Sequence, residues 1–564
     1  MKTVRMKNKF LLIIACFVGS ASFAQTPLGL GDETVFTFGN RMLTVGDAFK
    51  INVSPRIYDS IVTIEEPMYL FMPKKVKTAY QVKAILPARL RIMEPLGELQ
   101  KVYVKAGLGL HNTSLIQVSM NQLRSKKSQI GLTFDHLASN GGVNDVISSQ
   151  FSNNGLTLWG KYLSKKRQVE TKLSYNRFAR HFYGYPITIE PLAVEKDIAQ
   201  LVNRIGGNVA LRSILADSLK IQYATEIDFS HVSDQYKANE TRIQLNNTFG
   251  KLHQKEWYKL DFNIDYNQLK SVDLRDTTNV TQNNAILEVT PQIISTGKRI
   301  KIQVGLSIQG DMYKTAKFHF FPKAEISYSM FRSMFIPYAG LKGGIIRNNW
   351  GNAFAENPFV SSHIDLQNTN EKLVAYAGIK GSLSKSTSFN INLTNKKVEN
   401  MALFVNDTIA SAGNKYTLIY DDGRILNVSA ELNYHKGINT ELYIKGDWYD
   451  YGFSNEGAWN LPIYKIGVGS RFKIQDKFKL GTEIYYIGDR EAKALTPAAL
   501  NTTDIAEVQK LKGFFDVNLD VEYRYTKRIS AFIQLNNLAN TSYQRWYKYQ
   551  SMPLTVLGGL TYSF

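Results

Sequence analysis

The sequence predicts an all-β chain, a transmembrane antiparallel β-barrel of about 22 strands with a short N-terminal partial plug. Three observations predict it. The chain ends in a two-faced strand, long segments alternate apolar and polar residues with period two, and short turns alternate with longer connections.

Residues 1–24 read as a secretory signal peptide. Lys2, Arg5, Lys7 and Lys9 precede an apolar run from Phe10 to Ala15, extended by Phe17 and Val18, and Ser22-Phe23-Ala24 is a small-x-small cleavage site. Cys16, the only cysteine, lies inside this leader, where Ile13-Ile14-Ala15 fits a lipoprotein signal poorly. The mature chain is therefore expected to hold no disulfide and no cysteine metal site.

Residues 25–102 differ in character from the remainder of the chain. They carry Pro27, Pro55, Pro67, Pro73, Pro87 and Pro95, from a chain total of 15 prolines, and the basic cluster Pro73-Lys74-Lys75-Val76-Lys77. Such interrupted alternation predicts a non-barrel segment, either a partial plug or a periplasmic segment. A barrel of this size encloses more space than its own side chains fill, so the lumen is the natural place for it.

Residues 103–564 are expected to form the barrel. Phe515, Val517, Leu519, Val521, Tyr523 and Tyr525 form one face, against Asp516, Asn518, Asp520, Glu522 and Arg524 on the other. The same design recurs in Leu260, Phe262, Ile264 and Tyr266 against Lys259, Asp261, Asn263, Asp265 and Asn267, and in 219–229. A soluble sandwich also alternates, but its strands are typically about 5–6 residues long. Several runs here exceed about ten residues, the length of a tilted strand crossing a bilayer.

Short turns are expected near 124–127, 164–167, 214–218, 252–257, 296–299, 331–334, 384–387, 435–439, 475–478 and 526–529. Longer connections are expected near 140–153, 184–199, 273–283, 350–370, 404–415, 452–463 and 490–512. Short turns on one side of the membrane and long loops on the other are the outer-membrane pattern.

The final strand places Phe564, Tyr562, Leu560, Gly558, Val556 and Leu554 on one face. Leu560, Tyr562 and Phe564 are expected to act as the barrel-insertion signal, since the last strand must pair with the first to leave no edge.

Composition agrees. Mean hydropathy is slightly negative, at −0.22, yet the chain holds 31 Tyr, 30 Phe and 6 Trp. A polar lumen, an apolar outer band and aromatic girdles combine these features. The formal net charge is +20. Its basic residues cluster at turns, as in Arg124, Lys126 and Lys127 or Lys165, Lys166 and Arg167, with no nucleic-acid-binding motif. Solvated hairpin ends account for them, and no nucleic-acid partner is expected.

Motifs for chemistry are sparse. His136-Leu137-Ala138-Ser139-Asn140-Gly141 is similar to the His and Ser of outer-membrane phospholipases, which stand two residues apart on one strand. Here the spacing puts Ser139 on the face opposite His136, so no enzyme activity is expected. The eight histidines are scattered, and neither metal nor cofactor is expected. Asp421-Asp422-Gly423 reads as a turn. Gly340-Leu341-Lys342-Gly343-Gly344 reads as strand glycine that eases bending, because no helix comes after it to make a phosphate loop. The candidate ligand-binding loop is 350–370, where Trp350, Phe354, Asn357 and Phe359 combine aromatics with an amide; the alternative is that these rings pack against neighbouring loops.

The C-terminal third resembles the barrel of TonB-dependent receptors. Leu535-Asn536-Asn537-Leu538-Ala539-Asn540-Thr541-Ser542-Tyr543, taken as the penultimate strand, is similar to the family's Asn-Asn-Leu-x-Asn-x-x-Tyr signature. Ser530-Ala531-Phe532 before it and Gly558-Gly559-Leu560-Thr561-Tyr562-Ser563-Phe564 after it fit the same pattern. Family members carry a larger plug and a motif that binds the periplasmic energy-coupling protein. Glu33-Thr34-Val35-Phe36-Thr37 echoes an acidic-Thr-x-x-Val motif, with Thr in the fifth position. The resemblance implies solute uptake or passage across the outer membrane. The alternative is a non-transporting barrel subunit or scaffold of an outer-membrane secretion or assembly complex. Implied partners are outer-membrane lipid and lipopolysaccharide, the barrel-assembly machinery, an unknown solute, and periplasmic or outer-membrane proteins.

Overall fold

The computed structural model describes residues 100–564, apart from 123–124, 185–197, 215–219, 274–277, 408–410, 412, 438 and 496–505. The expected leader, the coupling-motif echo and nearly all of the 25–102 segment lie outside the described residues.

The strands run in chain order. The first arc is β1 (Val102–Gly109), β2 (Thr113–Asn121), β3 (Ser128–Ser139), β4 (Phe151–Leu163), β5 (Arg167–His181), β6 (Ala199–Ser213), β7 (Gln222–Asp234) and β8 (Asn239–His253). The second is β9 (Glu256–Val272), β10 (Asn279–Thr296), β11 (Ile300–Tyr313), β12 (Thr315–Tyr328), β13 (Ile336–Ile346), β14 (Thr369–Ser382), β15 (Thr387–Asp407) and β16 (Lys415–Lys436). The third is β17 (Thr440–Phe453), β18 (Tyr464–Ile474), β19 (Phe478–Ile487), β22 (Phe514–Arg524), β23 (Ile529–Asn536) and β26 (Thr555–Ser563). These make one 22-stranded sheet. Two small hairpins, β20 (Arg490–Leu495) with β21 (Ala506–Leu511) and β24 (Gln544–Trp546) with β25 (Tyr549–Gln550), are excursions from its loops.

The sheet closes on itself. β1 pairs antiparallel with β26, from Tyr103 opposite Ser563 to Gly109 opposite Leu557. Phe564 extends that ladder: its carbonyl accepts from the N–H groups of Lys101 (2.6 Å) and Val102 (3.0 Å), and its own N–H donates to the Val102 carbonyl (3.0 Å). Leu560, Tyr562 and Phe564 all face outward and are exposed. At the seam a Cβ on Gly559 would collide with the Ala106 carbonyl, so the close backbone approach needs glycine there.

Period-two patterning becomes two faces. Ile116, Leu158, Leu173, Ile227, Ile243 and Ile302 belong to an exposed outer apolar surface. Inside, polar side chains satisfy one another. Asp261 accepts from Thr248 Oγ1 at 2.7 Å and from Gln292 Nε2 at 2.5 Å, and pairs with Lys259 at 2.9 Å. Lys479 and Glu522 pair at 3.0 Å. Asn208 Nδ2 donates to Glu226 (2.7 Å) and Asp228 (2.6 Å). The predicted faces of β22 are present: Phe515 is exposed outside, while inside Asp516 accepts from the Tyr543 hydroxyl at 2.7 Å.

The ten predicted short turns all fall at strand ends on one rim. On the opposite rim the sequence reading missed four connections. Three are tight, at Leu110–Asn112, 235–238 and Lys314, and use non-glycine residues in the left-handed region: His111 (φ 55), Asn112 (φ 50), Lys237 (φ 68) and Lys314 (φ 53). No glycine or proline occupies those positions. The fourth is 537–554. The segment taken as a penultimate strand stops being strand at Asn536, because Asn537 (φ 50) and Asn540 (φ 47) turn the chain. The Asn537 amide donates to the carbonyls of Thr541 (3.0 Å) and Met552 (2.8 Å), and Asn540 Oδ1 accepts from Leu554 N–H (2.8 Å). The signature asparagines thus order a loop.

Two further expectations are corrected. Asp421-Asp422-Gly423 is not a turn but lies inside β16, facing a bulge in β15 between Val398 and Met401. The 404–415 and 452–463 connections are shorter than expected, since β15 continues to Asp407 and β17 to Phe453. The glycine run at 340–344 does mark an irregularity: the β13–β14 register shifts between Lys342 and Gly344, where a side chain on Gly343 would meet the Phe321 ring.

The face assignment is testable. Val521→Arg is expected to cost roughly 2–4 kcal/mol of folding free energy in a bilayer, and Asp520→Arg far less. Denaturant titration of protein refolded into vesicles measures both, and equal tolerance would mean the face assignment is wrong. Deleting Phe564 removes three ladder hydrogen bonds, so the heat-modifiable, folded fraction in the outer membrane should fall. An undiminished fraction would deny the seam that role.

Candidate functional site

The most built feature is the mouth on the long-loop rim. β15 and β16, of 21 and 22 residues, run past the rest of the wall. At the bulge, Asn400 adopts φ 52; its N–H donates to Asp422 Oδ1 (2.9 Å) and its carbonyl accepts from Thr369 Oγ1 (2.7 Å). Beyond it the hairpin carries Leu403, Phe404, Val405, Tyr416 and Leu418, all buried. Its far end meets the wall half-way round the ring. Asn414 Nδ2 donates to the Phe182 carbonyl (3.2 Å), and Lys415 Nζ sits over the rings of Phe182 (4.9 Å) and Tyr236 (4.4 Å).

The 347–368 connection fills the span beneath. It contains one short helix, α1 (Trp350–Glu356). The strongest anchor is Glu240 of β8, 1% exposed. Its carboxylate accepts from Trp350 N–H (2.8 Å), Gly351 N–H (2.7 Å), Asn349 Nδ2 (2.8 Å) and Asn267 Nδ2 (3.1 Å). A carboxylate at a helix start satisfies donors that have no intrahelical partner. Arg347 adds a second anchor, through Asp265 Oδ2 (2.9 Å) and the Asp265 carbonyl (2.6 Å), while Arg242 grips the same carboxylate (2.6 Å). Gln282 acts as a surrogate strand edge, donating to the Ile364 carbonyl (2.8 Å) and accepting from Leu366 N–H (2.9 Å).

Aromatic packing joins the loops. Phe359 stacks on Tyr549 at 3.4 Å between centroids, and Tyr183 meets Phe359 edge-on at 5.7 Å. Trp546 packs against Phe404 (5.2 Å) and Tyr416 (5.4 Å). Tyr416 is fully buried and donates to the Tyr547 carbonyl at 3.0 Å. Burial pushes the Tyr183 hydroxyl up to about 12, so it stays a neutral donor to the Gln550 carbonyl (3.0 Å). Loops 347–368 and 537–554 and the overhanging hairpin thus form one packed bridge across the mouth.

The candidate loop residues are part of that bridge and are not the exposed patch expected of them. Trp350 and Asn357 are fully buried, Phe354 is buried and Phe359 is half-buried. Trp350 Nε1 donates to the Ser361 carbonyl (3.0 Å), and Asn357 Oδ1 accepts from Phe359 N–H (3.0 Å). Their side chains pack against neighbouring loops. Glu240 and Asn414, which fasten the bridge, carry no sequence signal, since each looks like one more polar lumenal or turn residue.

Below the bridge the lumen is polar. One recess of about 610 Å³ lies along β5–β8, lined by Lys172, Asn176, Arg204, Asn208, Glu226 and Asp228 among others. Among the described residues no group of three or more His, Cys, Asp or Glu is placed to hold a metal ion. His136 and Ser139 stand on opposite faces, as the spacing predicts. Ser139 is buried and bonded to Thr113 Oγ1 (2.9 Å), whereas His136 faces outward beside Ser114 (3.1 Å) and Asn154 (2.6 Å).

The described barrel superposes on solved outer-membrane receptors. The FrpB iron transporter from Neisseria meningitidis matches with a TM-score of 0.64 at 9% identity, covering 83% of this chain and 82% of that one. The barrel has the fold of TonB-dependent siderophore and metal receptors. The ferric-catecholate import receptor Fiu from E. coli K12 matches this fold with a TM-score of 0.60 at 10% identity, covering 82% of each chain. The copper transporter OprC matches with a TM-score of 0.58 at 11% identity, covering 84% of this chain and 82% of that one. No family sequence model and no curated protein matches the chain.

The Glu240 clasp is open to direct measurement. Glu240→Ala leaves Trp350 N–H, Gly351 N–H and Asn349 without their acceptor, at a local cost of about 1–3 kcal/mol. Hydrogen exchange at 349–351 should quicken while the barrel strands stay protected. Unchanged exchange there would show that the clasp does not hold the loop.

Proposed function

We propose that this chain is an outer-membrane barrel that passes or takes up a solute, with the bridged mouth as its outer gate. The observation that carries the reading is the bridge itself, an ordered aromatic and amide structure laid across a wide polar lumen. A solute entering that lumen must engage or displace it. The neighbouring folds named as iron and copper transporters and a ferric-catecholate import receptor support the reading. Trp350, Phe354, Asn357 and Phe359 then act by holding the gate, and ligand contact with them comes after its opening. Outer-membrane lipid and lipopolysaccharide surround the apolar belt, and Leu560, Tyr562 and Phe564 present an outward edge to the barrel-assembly machinery. The expectation from sequence that residues 25–102 act as a partial plug is one their removal can test.

Tyr416→Ala with Trp350→Ala removes two of the largest buried bridge side chains. The double variant is expected to raise the entry of small neutral solutes into proteoliposomes, and removing 30–95 to raise single-channel conductance further. Zero passage in wild type and variants alike, with folded barrel at normal levels, would overturn the transport reading. It would favour the non-transporting subunit of a secretion or assembly complex. Unchanged conductance on removing 30–95 alone would place that segment outside the lumen.

A further inference from the structure

The outer wall carries an arrangement that neither the transport reading nor the fold uses. Ser114 of β2, His136 of β3 and Asn154 of β4 stand side by side on three neighbouring strands. The register brings them there: Ile116 lies opposite His136, which puts Ser114 on the diagonal, and His136 lies directly opposite Asn154. Ser114 Oγ is 3.1 Å from His136 Nε2, and His136 Nδ1 is 2.6 Å from Asn154 Oδ1. All three are half-buried, neither sealed in a core nor fully solvated. We propose that they form an ester-hydrolysing site on the lipid-facing wall, acting on the acyl ester of a membrane lipid.

The hydrogen-bond order fixes the roles. Asn154 Nδ2 donates to Ser152 Oγ at 3.0 Å, so the Asn154 carbonyl oxygen is the atom turned toward the imidazole. An acceptor at Nδ1 requires the proton to sit on Nδ1, which leaves Nε2 as the acceptor for the Ser114 hydroxyl. Among the described residues Ser114 Oγ has no other hydrogen-bond partner. A serine hydroxyl on the basic nitrogen of a histidine whose other nitrogen is held by a third group is the arrangement that activates a nucleophile, wherever it occurs on a fold. Ser114 and His136 are the catalytic pair, and Asn154 is a positioning residue.

The location selects the substrate class. On the same outward faces, toward the short-turn rim, lie the exposed Ile116, Leu156 and Leu158, and Leu108 of β1 lies directly across from Ser114. Exposed apolar side chains therefore adjoin this row of polar side chains, with Leu108 in the row itself. In a bilayer that depth is where acyl chains join their headgroups through ester bonds. Arg177 of β5, exposed and directly opposite Asn154, continues the row and gives a cation for a headgroup phosphate.

The reaction balances without a cofactor. Ser114 Oγ bonds to the ester carbonyl carbon as its proton passes to His136 Nε2. The bond from that carbon to the alcohol oxygen breaks, and the departing alcohol takes the proton from Nε2. Water then attacks the acyl-serine, giving its proton to Nε2, and Ser114 recovers that proton as the fatty acid leaves. The sum is ester plus water to acid plus alcohol.

The test uses the full-length protein in detergent micelles, a fluorophosphonate probe, and fatty-acid release from phosphatidylethanolamine and from lipid A in separate arms. Wild type should take up the label and release fatty acid from at least one lipid, and the arm that responds identifies the lipid. Ser114→Ala should lose the label, and His136→Gln should slow release on the order of a hundredfold or more. Asn154→Ala should slow release and displace the pH profile, with Asn154→Asp restoring much of the rate. Ser139→Ala should behave as wild type. Heat-modifiability on gels checks that each variant is folded. Folded wild type with neither label nor fatty-acid release would overturn the proposal, as would labelling that persists in Ser114→Ala. Solute passage is read separately in proteoliposomes, so neither result decides the other.

Discussion

Backbone hydrogen bonding across the β1–β26 seam is the interaction on which the rest depends. A strand edge has no water to bond to inside a bilayer, so an open sheet there carries a prohibitive cost. Closing the ring gives every strand a paired neighbour on each side and leaves no terminal edge strand. Once closed, each strand has a lipid side and a lumenal side, and period two does the sorting. Leu560 and Tyr562 go out because Thr561 and Ser563 go in. Where the two backbones crowd, at Gly559, the sequence supplies a residue with no Cβ.

Closure also creates the problem that the bridge addresses. A 22-stranded ring is wider than its own side chains can fill. At the long-loop end, the wall answers by extending two strands beyond a bulge and leaning them inward. Apolar burial alone does not hold the span. Loop backbone and amide side chains lie under cover, and a buried polar group without a partner is costly. Glu240, Gln282, Arg347 and Asn414 supply partners at the points where chain from one part of the wall meets chain from another. The aromatics between them add area and rigidity, with Tyr416 and Trp546 offering large surfaces at few rotatable bonds.

The same lattice makes neighbours of residues that the sequence separates. Antiparallel register sets Ser114, His136 and Asn154 in one row although they are 22 and 18 positions apart in sequence. Local spacing draws attention to Ser139, the serine nearest His136 in sequence. Side-chain alternation sends Ser139 inward to Thr113 and His111, and the strand pairing brings a different serine to the imidazole.

What the sequence determined by itself was the architecture. Alternating faces in 515–525 and 259–267, basic short turns such as 164–167, and the aromatic last strand are local patterns, and each strand of a barrel needs only its own pattern and its neighbour's. The count of about 22 strands survived three unseen tight connections and one unseen long one, because missed connections do not disturb the ten short turns that pair strands into hairpins. The tight ones were hidden because lysine, histidine and asparagine, not glycine, took the left-handed positions. The site was much less legible. Composition marked Trp350, Phe354, Asn357 and Phe359 as a notable group, yet whether they faced solvent or each other depended on where loops from distant strands lay. Glu240 reads as one more lumenal acid until α1 settles on it. Only the tertiary structure decides such matters, because a bridge across a barrel mouth is made of contacts between segments that share no strand pairing, and no local periodicity encodes them.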